Sequence, residues 1–150
     1  MFKQYGGELE AKAIARKIDQ YRGPNRKNKI DTVGKLVSLI EQVKQRRGKL
    51  HPATKVFQAL RIVVNNELEN IEQALPQAYE LISDQGRIVT IAFHEGEDRI
   101  AKHLFKDWQA ASQGKMVTKK PIQPSEAEKE LNPASRSAKL RIFIKHETQN

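Results

Sequence analysis

The 150-residue chain contains no cysteine, which excludes a disulfide framework and any metal site built on thiolates. No apolar run approaches the roughly 18 residues that a membrane-spanning helix requires, and the first residues have no apolar leader core. A cytoplasmic protein is therefore the expectation. The four histidines lack the helical His-x-x-x-His spacing typical of zinc sites, so the sequence predicts no metal site.

The positive charge is unevenly distributed along the chain. The total is +9, with net charges of +8 over residues 1–50, −3 over 51–110 and +4 over 111–150. Clustered lysine and arginine most often serve to neutralise phosphates, although a solvated surface without a ligand would have the same composition. The basic segment 25–29 and the cations Lys44, Arg46, Arg47 and Lys49 are the densest examples. The latter four could also serve the C-terminal dipole of a helix.

Apolar spacing predicts several helices and three strands. Gly23-Pro24 ends the first helix, Thr32 is a candidate N-cap, Asn65-Asn66 indicates a bend, and Ser125 with Glu128 forms a capping pattern. The predicted helices cover residues 8–22, 33–45, 53–68, 67–82 and 97–108, with a short one from Ser125, and the predicted strands cover residues 87–93, 116–120 and 140–145.

The segment Arg87–Phe93 is the clearest strand. It is almost continuously apolar, which is typical of a parallel strand covered on both faces. Such a strand needs neighbours at both edges, yet the chain supplies strands for only one side. The sequence therefore predicts an α/β fold that is incomplete as a sheet.

Several separated motifs occur in one order: the segment 51–62, Asn65, Phe93-His94, Glu97-Asp98-Arg99 and the segment 136–141. Together they resemble the C-terminal half of the RsmH (MraW) family. Members of that family are S-adenosyl-L-methionine-dependent methyltransferases that modify a cytidine of small-subunit ribosomal RNA.

This resemblance implies a helical RNA-recognition insertion over residues 1–66 and the C-terminal half of a class I (Rossmann-like) methyltransferase sheet over residues 67–150. It covers nearly all of this chain but only the later half of the family's length. Class I enzymes hold the methyl donor on a glycine-rich turn after their first strand, whereas Tyr5-Gly6-Gly7 follows no strand. The chain alone is therefore expected neither to bind the donor well nor to catalyse.

Two groups of residues are candidates for the RNA-facing wall of the active site. Phe93 could stack on a base and His94 could donate a hydrogen bond to it; the alternative is a core phenylalanine followed by a helix cap. Residues from the third helix could form either a binding face or a helix-packing network. They are His51, Thr54, Lys55, Arg61 and Asn65.

A third group precedes and begins the last strand. Arg136, Ser137, Lys139 and Arg141 form a compact basic motif suited to phosphate contacts. Asp98 and Arg99 are expected to support the loop after Phe93 structurally. At Glu95-Gly96 the chain departs from the family, which usually has Ser-Leu there, and this puts an acidic side chain beside the proposed RNA-facing loop.

The resemblance implies the C-terminal portion of an rRNA (cytidine-N4) methyltransferase that acts on ribosomal RNA or a 30S-type subunit. Two alternatives stay open: a non-catalytic RNA-binding or ribosome-associated module, and one subunit of a split methyltransferase whose complementary chain carries the donor-binding half.

Overall fold

The computed structural model describes residues 1–46, 48 and 50–146. It divides into two compact units, Met1–Glu67 and Leu68–Asn150. Within the described ranges, no helix combines the length and apolarity needed to cross a membrane.

Unit 1 is helical. Its helices are α1 (Phe2–Gly6), α2 (Ala11–Arg22), α3 (Val33–Glu41) and α4 (Thr54–Val64). Its core is a cluster of fully buried apolar side chains from α2, α3, the α4 N-terminus and α4 itself, namely Ile14, Ile40, Ala53 and Val56.

Three helix boundaries of unit 1 differ from the sequence prediction. α2 begins at Ala11 rather than residue 8, because the Glu8 side chain turns inward and accepts a hydrogen bond from the Glu10 amide at 3.0 Å. α3 ends at Glu41, four residues early, while its predicted cap is confirmed by a 3.2 Å hydrogen bond from the Lys35 amide to Thr32 Oγ1. α4 ends before the predicted bend, where Asn66 takes a φ of 50°.

Unit 2 combines helices with a small sheet. Its elements, counting helix α5 that begins at the unit boundary, are α5 (Glu67–Leu81), β1 (Arg87–Ala92), α6 (Glu95–Ala110), β2 (Gly114–Met116), α7 (Glu126–Leu131), a 3-10 helix (Pro133–Ser137) and β3 (Lys139–Lys145). Ser125 caps α7 as predicted, since its Oγ accepts from the Glu128 amide. α5 continues through Pro76, and the turn before β1 has a positive φ at Gln85.

The sheet has the strand order β1-β3-β2, and both pairings are antiparallel. The expected parallel neighbours of β1 are therefore not among the described residues, and the only strand beside it runs in the opposite direction. β2 also lies slightly earlier than predicted, because Met116 is its last residue. A mixed helix-and-sheet class is correct, and the completed class I sheet stays a proposal.

Helices α5 and α6 cover one face of the sheet. Leu75, Ile88, Ala101, Phe105 and Phe143 form the buried cluster between these layers. Trp108 joins it, with ring centroids 5.4 Å from Phe143 and 4.9 Å from Tyr79, distances typical of favourable aromatic pairs.

Candidate nucleic-acid interface

The residues around the start of α4 present a mixed surface. His51 is exposed; its Nδ1 accepts from the Ala53 amide at 3.2 Å, and its Nε2 lies 3.4 Å from Glu41 Oε1. Lys55 Nζ donates to the Gly7 carbonyl at 3.1 Å. Thr54, the first residue of α4, is exposed.

Arg61 and Asn65 form a network with the first residue of α5. The Arg61 guanidinium makes two hydrogen bonds to the Glu67 carboxylate, at 2.7 and 3.0 Å, and Asn65 Nδ2 donates to the same group at 3.2 Å. The predicted alternative of a packing network thus describes the observed contacts. These groups hold the α4–α5 turn, and a ligand would have to compete with Glu67 for Arg61.

The C-terminal end of β1 carries a reciprocal helix cap. His94 Nδ1 accepts from the Glu97 amide at 3.3 Å, while Glu97 Oε2 accepts from the Phe93 and His94 amides at 2.8 and 3.2 Å. This capping box satisfies donors at the start of α6. Since Nδ1 is the acceptor, a neutral His94 ring carries its proton on Nε2. Phe93 is 52% exposed, so the core alternative for it is wrong.

A buried ion pair joins α6 to β3. Arg141 donates to Asp98 through Nε at 2.7 Å and Nη2 at 3.0 Å, and the two residues are 5% and 3% exposed. Burial alone would raise the pKa of Asp98, but the hydrogen bonds and charge of Arg141, with a smaller effect of Lys139, outweigh it and lower the pKa. The phosphate-contact prediction for Arg141 needs correction, because its guanidinium lies in the interior and is bound to Asp98.

Lys139 neutralises Glu95, the acidic residue at which the chain departs from the family pattern. Its Nζ binds the Glu95 carboxylate and lies 3.7 Å from Asp98 Oδ2. The hydrogen bond to Glu95 is the main cause that raises the pKa of Lys139. The carboxylate of Glu95 is therefore paired with a cation of β3, which reduces its repulsion of a polyanion.

Three other predicted residues lie at the surface of unit 2. Arg136 and Ser137 are exposed on the 3-10 helix, where Arg136 Nη1 donates to the Pro133 carbonyl at 3.0 Å. The loop-supporting role was predicted for Asp98 and Arg99. Asp98 instead binds Arg141 of β3. Arg99 is exposed on α6, and no contact within the described ranges joins it to the loop after Phe93.

A cleft of about 360 Å³ between α2 and α3 was missed by the sequence prediction. Its lining residues are Lys17, Gln20, Tyr21, Lys35, Ser38, Leu39 and Gln42. The volume lies at the small end of the range for ligand sites. An aromatic ring, two ammonium groups and several neutral polar groups around one buried leucine are suited to a nucleotide. The sequence feature that could have indicated this cleft is the four-residue spacing of Lys17 and Tyr21, which places both side chains on one face of α2.

The flanking loop supports this cleft. Asn28 Nδ2 donates to the Tyr21 carbonyl at 2.8 Å, and Arg26 takes a φ of 49°. Segment 25–29 is exposed throughout, so its cations stand beside the end of α2. At the cleft itself, Lys35 pairs with Asp31 at 2.8 Å in an exposed contact, which a phosphate can displace at little cost.

Of the basic cluster after α3, Lys44 has a structural partner. Its Nζ binds Glu8 Oε2 at 2.7 Å, and Glu8 is only 1% exposed. Burial opposes ionisation of Glu8, but the hydrogen bonds from Lys44 and from the Glu10 amide prevail and lower its pKa. Arg46 is exposed, and Arg47 and Lys49 lie outside the described residues.

The glycine pair near the N-terminus does not form a donor-binding turn. Gly7 ends α1 in the left-handed conformation with a φ of 58°. A Cβ on Gly6 would lie 2.2 Å from the Lys55 carbonyl oxygen, so Gly6 allows α1 to pack on α4. Helix termination and helix packing therefore account for these two glycines. No glycine-rich turn follows a strand in the described ranges, so Gly6 and Gly7 do not fit a turn that holds S-adenosyl-L-methionine.

A comparison with protein families identifies the family of this chain. The sequence model of the MraW methylase family matches residues 1–146. The chain belongs to the MraW methylase family. The match includes both units and every motif discussed above, among them the Phe93-His94 cap and the Asp98–Arg141 pair.

Individual proteins with the same family name can also be aligned with this chain. The chain is 42% identical over 142 residues to a protein of Coprothermobacter proteolyticus named ribosomal RNA small subunit methyltransferase H. It is 46% identical over 145 residues to one of that name from a Sulfurihydrogenibium species, and 42% identical over 145 residues to one from Persephonella marina. These matches cover 95% of the chain but 46–48% of the relatives. The chain therefore spans about half the length of the curated relatives it matches.

Proposed function

We propose that this chain is the C-terminal part of an rRNA (cytidine-N4) methyltransferase, in which it recognises small-subunit ribosomal RNA and forms part of the active-site wall. The observation that carries the proposal is the family match over residues 1–146, together with relatives at 42–46% identity that are named ribosomal RNA small subunit methyltransferase H. S-adenosyl-L-methionine is assigned mainly to residues outside this chain, and a cytoplasmic location accords with a ribosomal RNA substrate.

The proposed active-site wall is the C-terminal end of β1. Ligands of open α/β sheets bind beyond the carboxyl ends of the strands, and Phe93 follows the last residue of β1 with half of its surface exposed. Stacking of a base on an aromatic ring contributes about 1–3 kcal/mol. The adjacent capping box fixes the backbone on which Phe93 is held, so the ring is positioned before RNA arrives.

The proposed contact with the RNA chain is the cleft between α2 and α3. Tyr21 offers a stacking surface, Lys17 and Lys35 offer positive charge, and Ser38 and Gln42 offer hydrogen bonds. Single-stranded RNA is commonly bound through this combination of stacking and phosphate neutralisation. The exposed cations of segment 25–29 extend the same surface.

Titration of a fluorescent small-subunit rRNA fragment tests RNA recognition. Tyr21→Ala should weaken binding about 5- to 150-fold, the equivalent of one lost stack. Lys17→Gln should reduce the slope of log affinity against log salt by about 0.7–1. The matched controls are Tyr5→Ala in α1 and Lys106→Gln on α6, which should leave affinity and slope nearly unchanged. Equal effects of test and control variants would reject the cleft.

Calorimetry combined with a methylation assay distinguishes a fragment or subunit of a methyltransferase from a non-catalytic RNA-binding module. Titration of S-adenosyl-L-methionine into the chain should give no binding heat, since the described residues provide no donor turn. A mixture with the half of the relatives that this chain does not match should bind the donor and methylate the rRNA fragment, which supports the fragment and split-enzyme readings. RNA binding with no methylation in the reconstituted mixture would instead favour the non-catalytic module.

A further inference from the structure

Lys139 lies at the end of the sheet that carries the proposed active-site wall. In the antiparallel register it is opposite Ala92, the last residue of β1, and the half-exposed Phe93 follows Ala92 directly. The 3-10 helix that ends at Ser137 precedes Lys139 by two residues, and Arg136 and Ser137 are both exposed on it. Ammonium, guanidinium and hydroxyl groups are the usual donors to the phosphates of a nucleic acid. This end of the sheet therefore combines phosphate donors with an aromatic ring.

The carboxylates in the first turn of α6 differ in how firmly they are held. Glu97 accepts hydrogen bonds from two backbone amides of the helix cap. Asp98 is buried and accepts two hydrogen bonds from Arg141. The side chain of Glu95 is 67% exposed, and its one hydrogen bond among the described residues comes from Lys139. Glu95 is therefore the carboxylate that an arriving anion can displace.

Displacement of Glu95 from Lys139 leaves no group without a favourable environment. The Glu95 carboxylate returns to water and stays in the first turn of α6, where an acidic side chain favours the helix dipole. A phosphate oxygen can accept from the same ammonium group. Two cations, Lys139 and Arg141, lie beside Glu95 and Asp98. This group of four is neutral while Glu95 is bound and has one net positive charge once Glu95 turns away.

We infer that Lys139 binds a phosphate of the RNA backbone and that Glu95 occupies this phosphate site in the free chain as an internal competitor. This inference deepens the proposed function and rests on it. The carboxylate holds the ammonium group beside the sheet end before RNA arrives, and it lowers the affinity for any polyanion that cannot replace it. RNA that passes close to Phe93 and the 3-10 helix can make that replacement, so Glu95 favours a backbone path over this end of the sheet.

Removal of the competitor should strengthen RNA binding. Glu95→Gln keeps the size of the side chain and removes its charge, and titration of the fluorescent small-subunit rRNA fragment measures the effect. We expect the affinity to rise about 1.5- to 5-fold, which corresponds to the loss of one exposed ion pair in the free chain. The slope of log affinity against log salt should steepen by up to about 0.7, because Lys139 then neutralises a phosphate without releasing a carboxylate.

Two controls separate competition at Lys139 from a general effect of charge. Glu80→Gln makes the same change of net charge at an exposed residue of α5. Glu80 lies at the other end of the sheet, since the carbonyl of the preceding Tyr79 accepts from Lys145 Nζ at 3.2 Å. In a chain that already carries Lys139→Gln, the Glu95→Gln change should raise affinity no more than Glu80→Gln does. Urea unfolding verifies that each variant is folded.

The outcomes bear differently on this inference and on the proposed function. Equal effects of Glu95→Gln and Glu80→Gln would overturn the inference, as would a full gain from Glu95→Gln in the Lys139→Gln chain. If Tyr21→Ala weakens binding while Glu95→Gln is inert, the proposed RNA recognition stands and the phosphate site fails. An equal gain with an unrelated oligoribonucleotide would support the phosphate site and contradict selective rRNA recognition. Absence of RNA binding by every variant would reject both.

Discussion

Removal of one partner of the Asp98–Arg141 pair should destabilise unit 2 strongly. In Arg141→Met, the Asp98 carboxylate loses both guanidinium hydrogen bonds and keeps the longer ion pair with Lys139, 3.7 Å from Oδ2, and a weaker charge interaction with Lys102. Both partners are about nine-tenths or more buried, so little solvent screening applies. Breaking a buried pair costs about 3–5 kcal/mol, and the remaining lysine places the expected loss near 3 kcal/mol.

Urea unfolding followed by Trp108 fluorescence measures this loss. Trp108 is the single tryptophan of the chain and packs on Phe143, so its signal reports unit 2. With a slope of about 1–3 kcal/mol per molar urea, a loss of 3 kcal/mol lowers the midpoint by about 1–3 M. The double variant Asp98→Ala with Arg141→Met removes both charges and should recover most of the stability. A single variant as stable as the unmodified chain would refute the reasoning.

The pH dependence of the same pair has a definite sign. The pKa of Asp98 is lowered in the folded chain, so its contribution to stability is fully present above the unfolded value of about 3.9 and is lost as pH falls through the folded pKa. In Arg141→Met, burial becomes the dominant influence and raises the pKa of Asp98. The variant should therefore gain stability on acidification from neutral pH, opposite to the effect in the unmodified chain.

Three further changes test other parts of the structure. Lys44→Met leaves the buried Glu8 carboxylate without its ion partner and should lower the melting temperature of unit 1 by circular dichroism, whereas the exposed control Lys12→Met should not. His94→Ala removes the α6 cap and should cost about 1 kcal/mol in urea unfolding; a loss below about 0.3 kcal/mol would contradict its capping role. Gly6→Ala places a methyl group 2.2 Å from a carbonyl oxygen and should destabilise unit 1 more than Gly34→Ala, where the added carbon meets nothing within 4 Å.

The periodic and capped parts of the fold were predictable from the sequence. Thr32 and Ser125 cap helices as their residue types indicate, and the apolar run of β1 has one helical layer against it. The antiparallel β1–β3 pairing was not predicted, because a continuous apolar run describes burial and carries no information on strand direction. β2 was misplaced since its three residues are too few to show a period.

The sequence indicated which types of residue the candidate site would contain, but it was a poorer guide to the contact that each residue makes. Phe93 and Arg136 are exposed, as a binding role requires. Arg61 instead binds Glu67, six residues later, and Arg141 binds Asp98, 43 residues earlier. Such pairs depend on tertiary placement, so a basic motif alone cannot separate an interior cation from a phosphate contact. The α2–α3 cleft was missed for the same reason, because its two walls are separated by a loop.

The strand order gives β3 a particular part in the assembly of unit 2. Among the described strands, β3 is central and comes last in the sequence, and Arg87 pairs with Ile144 more than fifty residues later. During synthesis, β1 and β2 have no described strand to pair with until residues 139–145 have left the ribosome. Pairing at such sequence separation is slow. Loss of the short segment 139–145 would therefore leave both remaining strands unpaired, and unit 2 would lose its sheet rather than one edge of it.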